Sequence, residues 1–190
     1  FTYDILNRLT SVKKNNIIIA EYTYDSDGLR TSKTVDGVTI HYLYEGNKLI
    51  FEKNIDTGDA KSYVYAFGKP LARLDGVSVD TGVDESIDYD EDGVIDITYD
   101  VYEFTEQNRY YFDCDHLGSV RNVTNKAGDV VWKGEFSAFG VLLFEEIVDE
   151  SYDVNIVFAG HEWEEDVGMY YVKTRWYDAE TGRFVSVDPI

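Results

Sequence analysis

Two aromatic residues separated by a single residue recur four times in the first third of the chain, and this repeat limits what the chain can fold into. The four triplets follow one another at intervals of 20 or 21 residues: Phe1-Thr2-Tyr3, Tyr22-Thr23-Tyr24, Tyr42-Leu43-Tyr44 and Tyr63-Val64-Tyr65. Residues i and i+2 of a strand point to the same side of a sheet, and a fixed period of this length is typical of repeat proteins. The triplets therefore predict successive strands with one aromatic stripe. We expect this stripe to face the core; a sugar-stacking surface is the alternative.

Composition and turn signals both favour an all-β fold. The 190 residues include 16 Tyr, 10 Phe and 3 Trp but only 2 Pro, and aromatic residues fit the half-buried surface of a sheet. Asp36-Gly37 lies between two strand-like runs, which is a strong hairpin signal because both central residues of such a turn need positive φ. Further turn signals follow roughly every ten residues, and no segment has a convincing helical period. We predict a β-hairpin meander, with the acidic stretch Glu145–Asp153 as a loop.

The formal net charge of −20, from 17 Lys and Arg against 37 Asp and Glu, argues against several kinds of partner. Nucleic acid and anionic membranes are bound by cationic surfaces, so neither is expected. No apolar run approaches the ~20 residues of a membrane span. The single cysteine, Cys114, cannot form an internal disulfide. Because the only Met is Met169 and the chain starts at Phe1, we expect a piece of a longer protein, with any export signal outside it.

Further motifs show a resemblance to a known family. The first two triplets continue into Tyr-Asp and a turn, Arg109–Arg121 reads RYYFDCDHLGSVR, Phe136–Gly140 reads FSAFG, and Gly168–Ile190 ends in FVSVDPI. These elements resemble the YD repeats and the core signature of bacterial Rhs proteins, of the C component of Tc toxins and of animal teneurins. The resemblance extends over the chain except for about 76–104 and 143–155. Its most specific parts are the His-Leu-Gly-Ser and terminal Asp-Pro motifs.

The resemblance implies a fold, an organisation and a role. Members of the family wind β-hairpins into a curled, hollow β-shell that encloses a C-terminal toxin. This implies YD repeats at 1–75, an acidic insertion at 76–104 and the Rhs repeat-associated core at 105–190. The partners would be upstream YD repeats and a downstream toxin domain of the same polypeptide, and the protein would be secreted or at the bacterial cell surface. Two other functions stay open: a cell-surface module for adhesion or carbohydrate binding, and a scaffold without catalysis.

The resemblance also implies an aspartyl autoprotease in the core, which would release the toxin by self-cleavage rather than by turnover of other substrates. By position, Arg175 and Asp188 match family residues implicated in this reaction, and Asp178 is the nearest second carboxylate. If residues 179–182 form a hairpin loop, Asp178 pairs with Arg183, and Arg175 becomes a diagonal neighbour of Asp188. Asp178 then lies on the other face at the head of a turn, where Asp is common. The alternative for these residues is a structural ion pair and a turn carboxylate.

The acidic insertion contains a calcium-type spacing. Eleven acidic and no basic residues lie between Asp75 and Glu103. In residues 88–96, oxygen ligands occupy positions 1, 3, 5 and 9 of a calcium loop and Gly occupies position 6. The candidate ligands are Asp88, Asp90, Asp92, Asp96 and the carbonyl of Val94. Tyr99 stands where the twelfth-position carboxylate is expected, so a weak calcium site is predicted, with a solvated acidic loop as the alternative.

Other polar residues are given structural roles. Asp115, His116 and Ser119 are expected to hold a turn, because Ser119 lacks the sequence context of a hydrolase nucleophile. The stretch His161–Glu165, HEWEE, resembles part of a zinc-protease motif but lacks the second His. Cys114 lies between two carboxylates, which disfavour a reactive thiolate.

Overall fold

The computed structural model describes residues 1–87 and 97–186, which form two antiparallel β-sheets. The larger sheet consists of β1 (Thr2–Tyr3), β2 (Leu9–Lys14), β3 (Ile17–Tyr24), β4 (Arg30–Val35), β5 (Val38–Glu45), β6 (Lys48–Asn54), β7 (Asp59–Ala66), β8 (Lys69–Ile87), β9 (Ile97–Cys114), β10 (Val120–Asn125), β11 (Val130–Phe136) and β12 (Leu142–Ile147). The smaller, terminal sheet consists of β13 (Glu162–Glu164), β14 (Met169–Val172), β15 (Arg175–Asp178) and β16 (Arg183–Phe184). A 3₁₀ turn at Phe158–Gly160 lies between the two sheets in sequence.

The larger sheet is an open meander, in which the strands lie in sequence order and β1 and β12 form the edges. The aromatic triplets fall on β1, β3, β5 and β7, which is every second strand. The register places Tyr22, Tyr42 and Tyr63 on one face of the sheet. The all-β meander expected from the repeat is confirmed.

The Asp of each Tyr-Asp repeat closes the turn that follows it. The Asp4 carboxylate accepts the backbone N–H groups of Leu6 and Arg8, both at 2.9 Å. Asp25 and Asp115 make the same pair of bonds to the residues two and four positions later. A short acceptor at this position satisfies backbone donors that the turn would otherwise leave unpaired.

Two local predictions have different outcomes. Asp36 and Gly37 have φ of 49° and 82°, so the hairpin predicted there is confirmed. The loop predicted for Glu145–Asp153 is wrong in its first three residues, because they belong to β12 and pair with β11. The carboxylate of Glu145 accepts the indole N–H of Trp132 at 2.8 Å, and this bond holds an acidic residue within the strand.

Strands β8 and β9 form a long hairpin arm that contains the acidic insertion. The pairing between them shifts register at Gly76, where a Cβ would lie only 2.1 Å from the carbonyl oxygen of Thr105. Glycine is required at this close approach of the two backbones. The boundaries expected between 75 and 76 and between 104 and 105 fall inside these strands. Residues 88–96, which include every predicted calcium ligand, lie outside the described residues.

The core lies between the terminal sheet and the face of the meander that carries the aromatic stripe, here called the inner face. Tyr22 is buried against Trp176, with ring centroids 4.6 Å apart. Tyr63 is buried in a second cluster with Leu49 and Ile156. The stripe therefore faces the core as expected, and these rings do not form the exposed surface on which the sugar-stacking alternative depended.

Candidate functional site

The terminal hairpin has the predicted pairing next to its loop, whereas on the other side β15 begins at Arg175, directly after a turn at Lys173, whose φ is 59°. Asp178 pairs with Arg183 across β15 and β16. Its carboxylate accepts the backbone N–H groups of Glu180 and Thr181 at 2.9 and 3.3 Å and the Thr181 hydroxyl at 2.9 Å. These bonds are those of a turn carboxylate, which is the structural alternative considered for Asp178.

Of Arg175 and Asp188, the two residues expected to act in self-cleavage, the structure describes only Arg175. The Arg175 guanidinium lies over the ring of Phe184, with its central carbon 3.7 Å from the ring centroid. Asp188 lies outside the described residues, so the diagonal contact between Arg175 and Asp188 stays a prediction.

Within residues 1–87 and 97–186, no group of three or more His, Cys, Asp or Glu side chains is arranged to hold a metal ion.

A buried ion cluster, which the sequence did not reveal, joins the YD repeats to the terminal sheet. Arg30, at the start of β4, has no exposed surface. Its two terminal nitrogens donate to the carboxylates of Glu162 and Glu164 on β13. The ammonium of Lys33 donates to the second oxygen of Glu164 at 2.5 Å, and the Tyr44 hydroxyl donates to Glu162 at 3.0 Å.

Aromatic rings surround the Arg30 guanidinium on several sides. Its central carbon lies 4.0 Å from the ring centroid of Tyr42 and 4.6 Å from that of Tyr171. The rings of Tyr22 and Trp176 are at 5.9 and 5.8 Å. Ring faces attract a cation, and this attraction is strongest where water is excluded. Rings from both sheets thus contribute to one site around a single arginine.

The two carboxylates of the cluster differ in their proton affinity. Burial raises the pKa of Glu162 to about 7, because Arg30 only partly offsets the loss of water and Glu164 adds repulsion. Burial also acts to raise the pKa of Glu164, but Arg30 and Lys33 outweigh it and hold this pKa below its ordinary value. Glu164 is therefore the ionised partner of Arg30 at neutral pH, while Glu162 titrates near neutrality.

A second buried arginine anchors the segment that connects the two sheets. Arg73 donates to both oxygens of Asp75, to the Asp153 carboxylate at 2.9 Å and to the Asp153 carbonyl at 2.7 Å. Its guanidinium also lies 4.4 Å from the ring centroid of Tyr152. Lys61 pairs with the same Asp153 carboxylate and with Glu52. This cluster fixes the chain as it leaves β12 and crosses the inner face.

A cavity of about 790 Å³ lies beside these clusters, between the inner face and the terminal sheet. Trp132 and Phe136 on β11 and Trp163 on β13 contribute aromatic surface, while Glu162 and Lys61 contribute charged groups. Three of the carboxylates that line it, those of Glu52, Glu162 and Glu164, are bound by Lys61, Arg30 or Lys33. The arrangement is therefore suited to holding the terminal sheet in place.

The two carboxylates of the Arg30 cluster could have been predicted from their spacing in the sequence. Glu162 and Glu164 are two residues apart, so on a strand they point to the same side and can bind one guanidinium. The zinc-protease motif that HEWEE resembles does not depend on this spacing, so the pair of carboxylates was not among the predicted site residues. Arg30 itself has no distinguishing local pattern, because its partners are more than 130 residues away.

Comparisons with known proteins agree with this architecture. The teneurin YD-shell family model matches residues 101–189. The tRNA nuclease WapA of Bacillus subtilis (strain 168) is 28% identical over 193 residues, and double-stranded DNA deaminase toxin A of Burkholderia cenocepacia (strain H111) is 28% identical over 208 residues. Both alignments cover 100% of this chain, which spans only 7% of WapA and 14% of the deaminase toxin.

Solved structures share the fold. The crystal structure of TcdB2-TccC3 aligns with 99% of this chain and 9% of its own chain, with a TM-score of 0.57 and 17% identity. The TcdB2-TccC3 structure without the hypervariable C-terminal region aligns over the same shares, with a TM-score of 0.56. Among the described residues, no helix is long and apolar enough to cross a membrane. The matches confirm the resemblance to Rhs and YD-repeat proteins, and the open, twelve-stranded meander has the all-β fold of these structural neighbours.

Proposed function

We propose that this chain forms part of the wall of a β-shell that encloses a toxin domain of the same polypeptide, and that its terminal segment releases this domain by self-cleavage. The observation that carries the proposal is the docking of the terminal sheet on the inner face of the meander. The backbone of Val185 is bound to Trp176 at 2.9 Å and to the Tyr3 hydroxyl at 3.2 Å, so the chain is still on the inner face at this point. A segment that continues from there would start on the inner face, which in this proposal is the side turned toward the enclosed domain.

The relatives support a toxin as the enclosed domain. WapA is named as a tRNA nuclease, and the Burkholderia protein as a DNA deaminase toxin. This chain spans a small part of each, so we assign the toxic activity to polypeptide outside it and the enclosing role to the chain itself. A toxin acting on other cells must leave its producer, and we therefore place the intact protein in the secreted or cell-surface fraction of a bacterium.

The chemistry proposed for release is that of an aspartyl protease. The Asp188 carboxylate would accept a proton from the attacking water as the water oxygen adds to the scissile carbonyl carbon, and would return this proton to the amide nitrogen as the C–N bond breaks. Arg175 would favour the ionised form of Asp188 before the attack. The three bonds that hold Asp178 in its turn favour Asp188 over Asp178 as the reacting carboxylate. Calcium bound by the acidic insertion, through Asp88, Asp90, Asp92, Asp96 and the Val94 carbonyl, is proposed as a structural ion.

The intact polypeptide, extended beyond Ile190 to its natural end, provides the test. We expect the wild type to cut itself during expression, which is read as two bands on a denaturing gel and by the mass of the fragments. Asp188→Asn should abolish cleavage, Arg175→Ala should slow it strongly, and Asp178→Asn, the matched control, should be cut like the wild type. An extended wild type that is never cut would leave a scaffold without catalysis.

A further inference from the structure

Arg30 contacts three strands of the terminal sheet at once. Its side chain binds two carboxylates of β13, and its backbone N–H donates to the Tyr171 hydroxyl on β14 at 2.8 Å. The same hydroxyl reaches the carbonyl of Gly28 at 3.4 Å. On β15, the Trp176 ring lies 5.8 Å from the guanidinium, and its indole N–H donates to the Tyr24 hydroxyl at 3.1 Å. One turn of the YD repeats therefore determines where these strands lie.

The fork of the guanidinium makes this contact specific for one register. Glu162 and Glu164 flank Trp163 and share one face of β13. A slip of β13 by one residue would bring Trp163 to Arg30 in place of the carboxylates, because neighbouring residues of a strand point to opposite faces. A slip by two residues would leave one nitrogen of the fork without its carboxylate. Either slip would leave a buried charge without its partner, which is strongly destabilising.

Stability alone does not account for a buried arginine at this position. The Nε of Arg30 has no hydrogen-bond partner among the described residues, and the whole side chain has lost its contact with water. Replacing buried ion clusters by apolar groups of similar size is often neutral or stabilising, whereas removing a single partner is strongly destabilising. The feature that an apolar side chain could not supply is the geometric choice of one register.

We infer that Arg30 is a positioning residue, which fixes the register of the terminal sheet on the YD repeats and so sets where β15 presents Arg175. Trp176, which packs into the cluster around Arg30, is the next residue after Arg175. The consequence for cleavage rests on the proposed function, while the consequence for the order of β14 and β15 does not. Arg30 acts through these strands and does not itself contact the reacting groups.

The test uses the intact, extended protein and three variants. Arg30→Lys keeps the charge but cannot span two carboxylates with a fork. Arg30→Met combined with Glu162→Gln and Glu164→Gln removes the three central charges together, so that no member of the Arg30 fork is left unpaired. Arg73→Met combined with Asp75→Asn and Asp153→Asn is the matched control, since it removes the other buried arginine, which anchors the connection before β13. Self-cleavage rate, unfolding midpoint and hydrogen exchange of residues 169–178 are measured for each.

We expect both Arg30 variants to fold, to exchange faster at residues 169–178 and to cleave about tenfold more slowly or worse, since small displacements of reacting groups have large effects on rate. The Arg73 control should keep the exchange of these residues and the cleavage rate within about twofold, because its cluster lies outside β14 and β15. Folded Arg30 variants with wild-type exchange at 169–178 would overturn the inference, whether or not the protein cuts itself. If the wild type is never cut, the proposed self-cleavage fails, and exchange alone decides the role of Arg30.

Discussion

At the residue scale, the molecule depends on charges that are buried and paired. Arg30 and Arg73 are both fully buried, and each binds carboxylates on segments distant in sequence. Such groups are expensive to remove one at a time, because the remaining partner is left charged in a dry environment. Glu162 is the member of these clusters whose charge is most sensitive to pH near neutrality.

Glu162 should make the protein less stable as the pH rises from 5 to 8. Its pKa is about 7 in the folded state and has an ordinary value of 4.5, so the folded state binds the proton more tightly. Its contribution to the free energy of unfolding is therefore complete below pH 4.5 and is lost as the pH rises through 7. We expect the stability difference between wild type and Glu162→Gln to change by on the order of 1–3 kcal/mol across this range, as measured by urea unfolding.

Glu164→Gln is the matched control for this measurement. The pKa of Glu164 is lowered, so its contribution is present above its ordinary pKa and is lost only at more acidic pH. The lowered pKa of His161, caused by burial and by Lys173, affects wild type and variants alike and cancels in the differences. A wild-type-minus-Glu162→Gln difference that is the same at pH 5 and pH 8 would contradict the assignment.

At the scale of elements, hairpins of regular length are interrupted by one long arm. The Asp of each YD repeat sets its own turn through bonds within five residues, which is why these hairpins are similar. Strands β8 and β9 depart from this pattern at Gly76, where the backbones approach closely and the register shifts. The two strands of the arm are 19 and 18 residues long, more than twice the length of the strands of the YD repeats.

Calcium should stabilise the protein through the candidate ligands in residues 88–96. Carboxylates at Asp88, Asp90, Asp92 and Asp96 repel one another without a cation, and Ca²⁺ prefers such oxygen ligands. Binding to the folded state alone raises the melting temperature as calcium increases. We expect millimolar calcium to raise the melting temperature and a chelator to lower it again.

The Asp90→Ala/Asp92→Ala variant should show no response to calcium. A matched pair, Glu45→Ala/Glu150→Ala, removes two exposed acidic residues outside the arm and should respond like the wild type. Equal melting temperatures for the wild type in calcium and in chelator would leave the alternative of a solvated acidic loop.

At the scale of the whole molecule, the sheet is open, and its two edges differ. β1 has two residues and contacts the terminal sheet through the bond from the Tyr3 hydroxyl to Val185. β12 is exposed along its whole length and carries Leu142, Leu143 and Phe144. Open edges recruit further strands, and in a repeat protein each unit is stabilised by its neighbours.

Backbone amides of β1, an open edge of two residues, should therefore exchange faster than those of a central strand in this chain taken alone. We expect Thr2 and Tyr3 to exchange much faster than Val120–Asn125, which pairs on both sides with β9 and β11. YD repeats joined to the N-terminal side of β1, which we expect as partners, should pair with this strand and slow its exchange. Exchange at Thr2 and Tyr3 as slow as in β10, measured on this chain by mass spectrometry, would contradict the role of β1 as an open edge.

The sequence by itself determined the features that arise from interactions over a few residues. The alternation of side chains along a strand predicted the aromatic stripe. The Asp36-Gly37 pair, whose residues both have positive φ, predicted a hairpin. The loop that follows Asp178 predicted the pairing of Asp178 with Arg183. Only the tertiary structure decided that β12 includes Glu145 and that Arg30 meets Glu162 and Glu164. These outcomes depend on how a sheet of twelve strands curves and on which face the returning chain docks, and no local pattern records a contact between residues more than 130 positions apart.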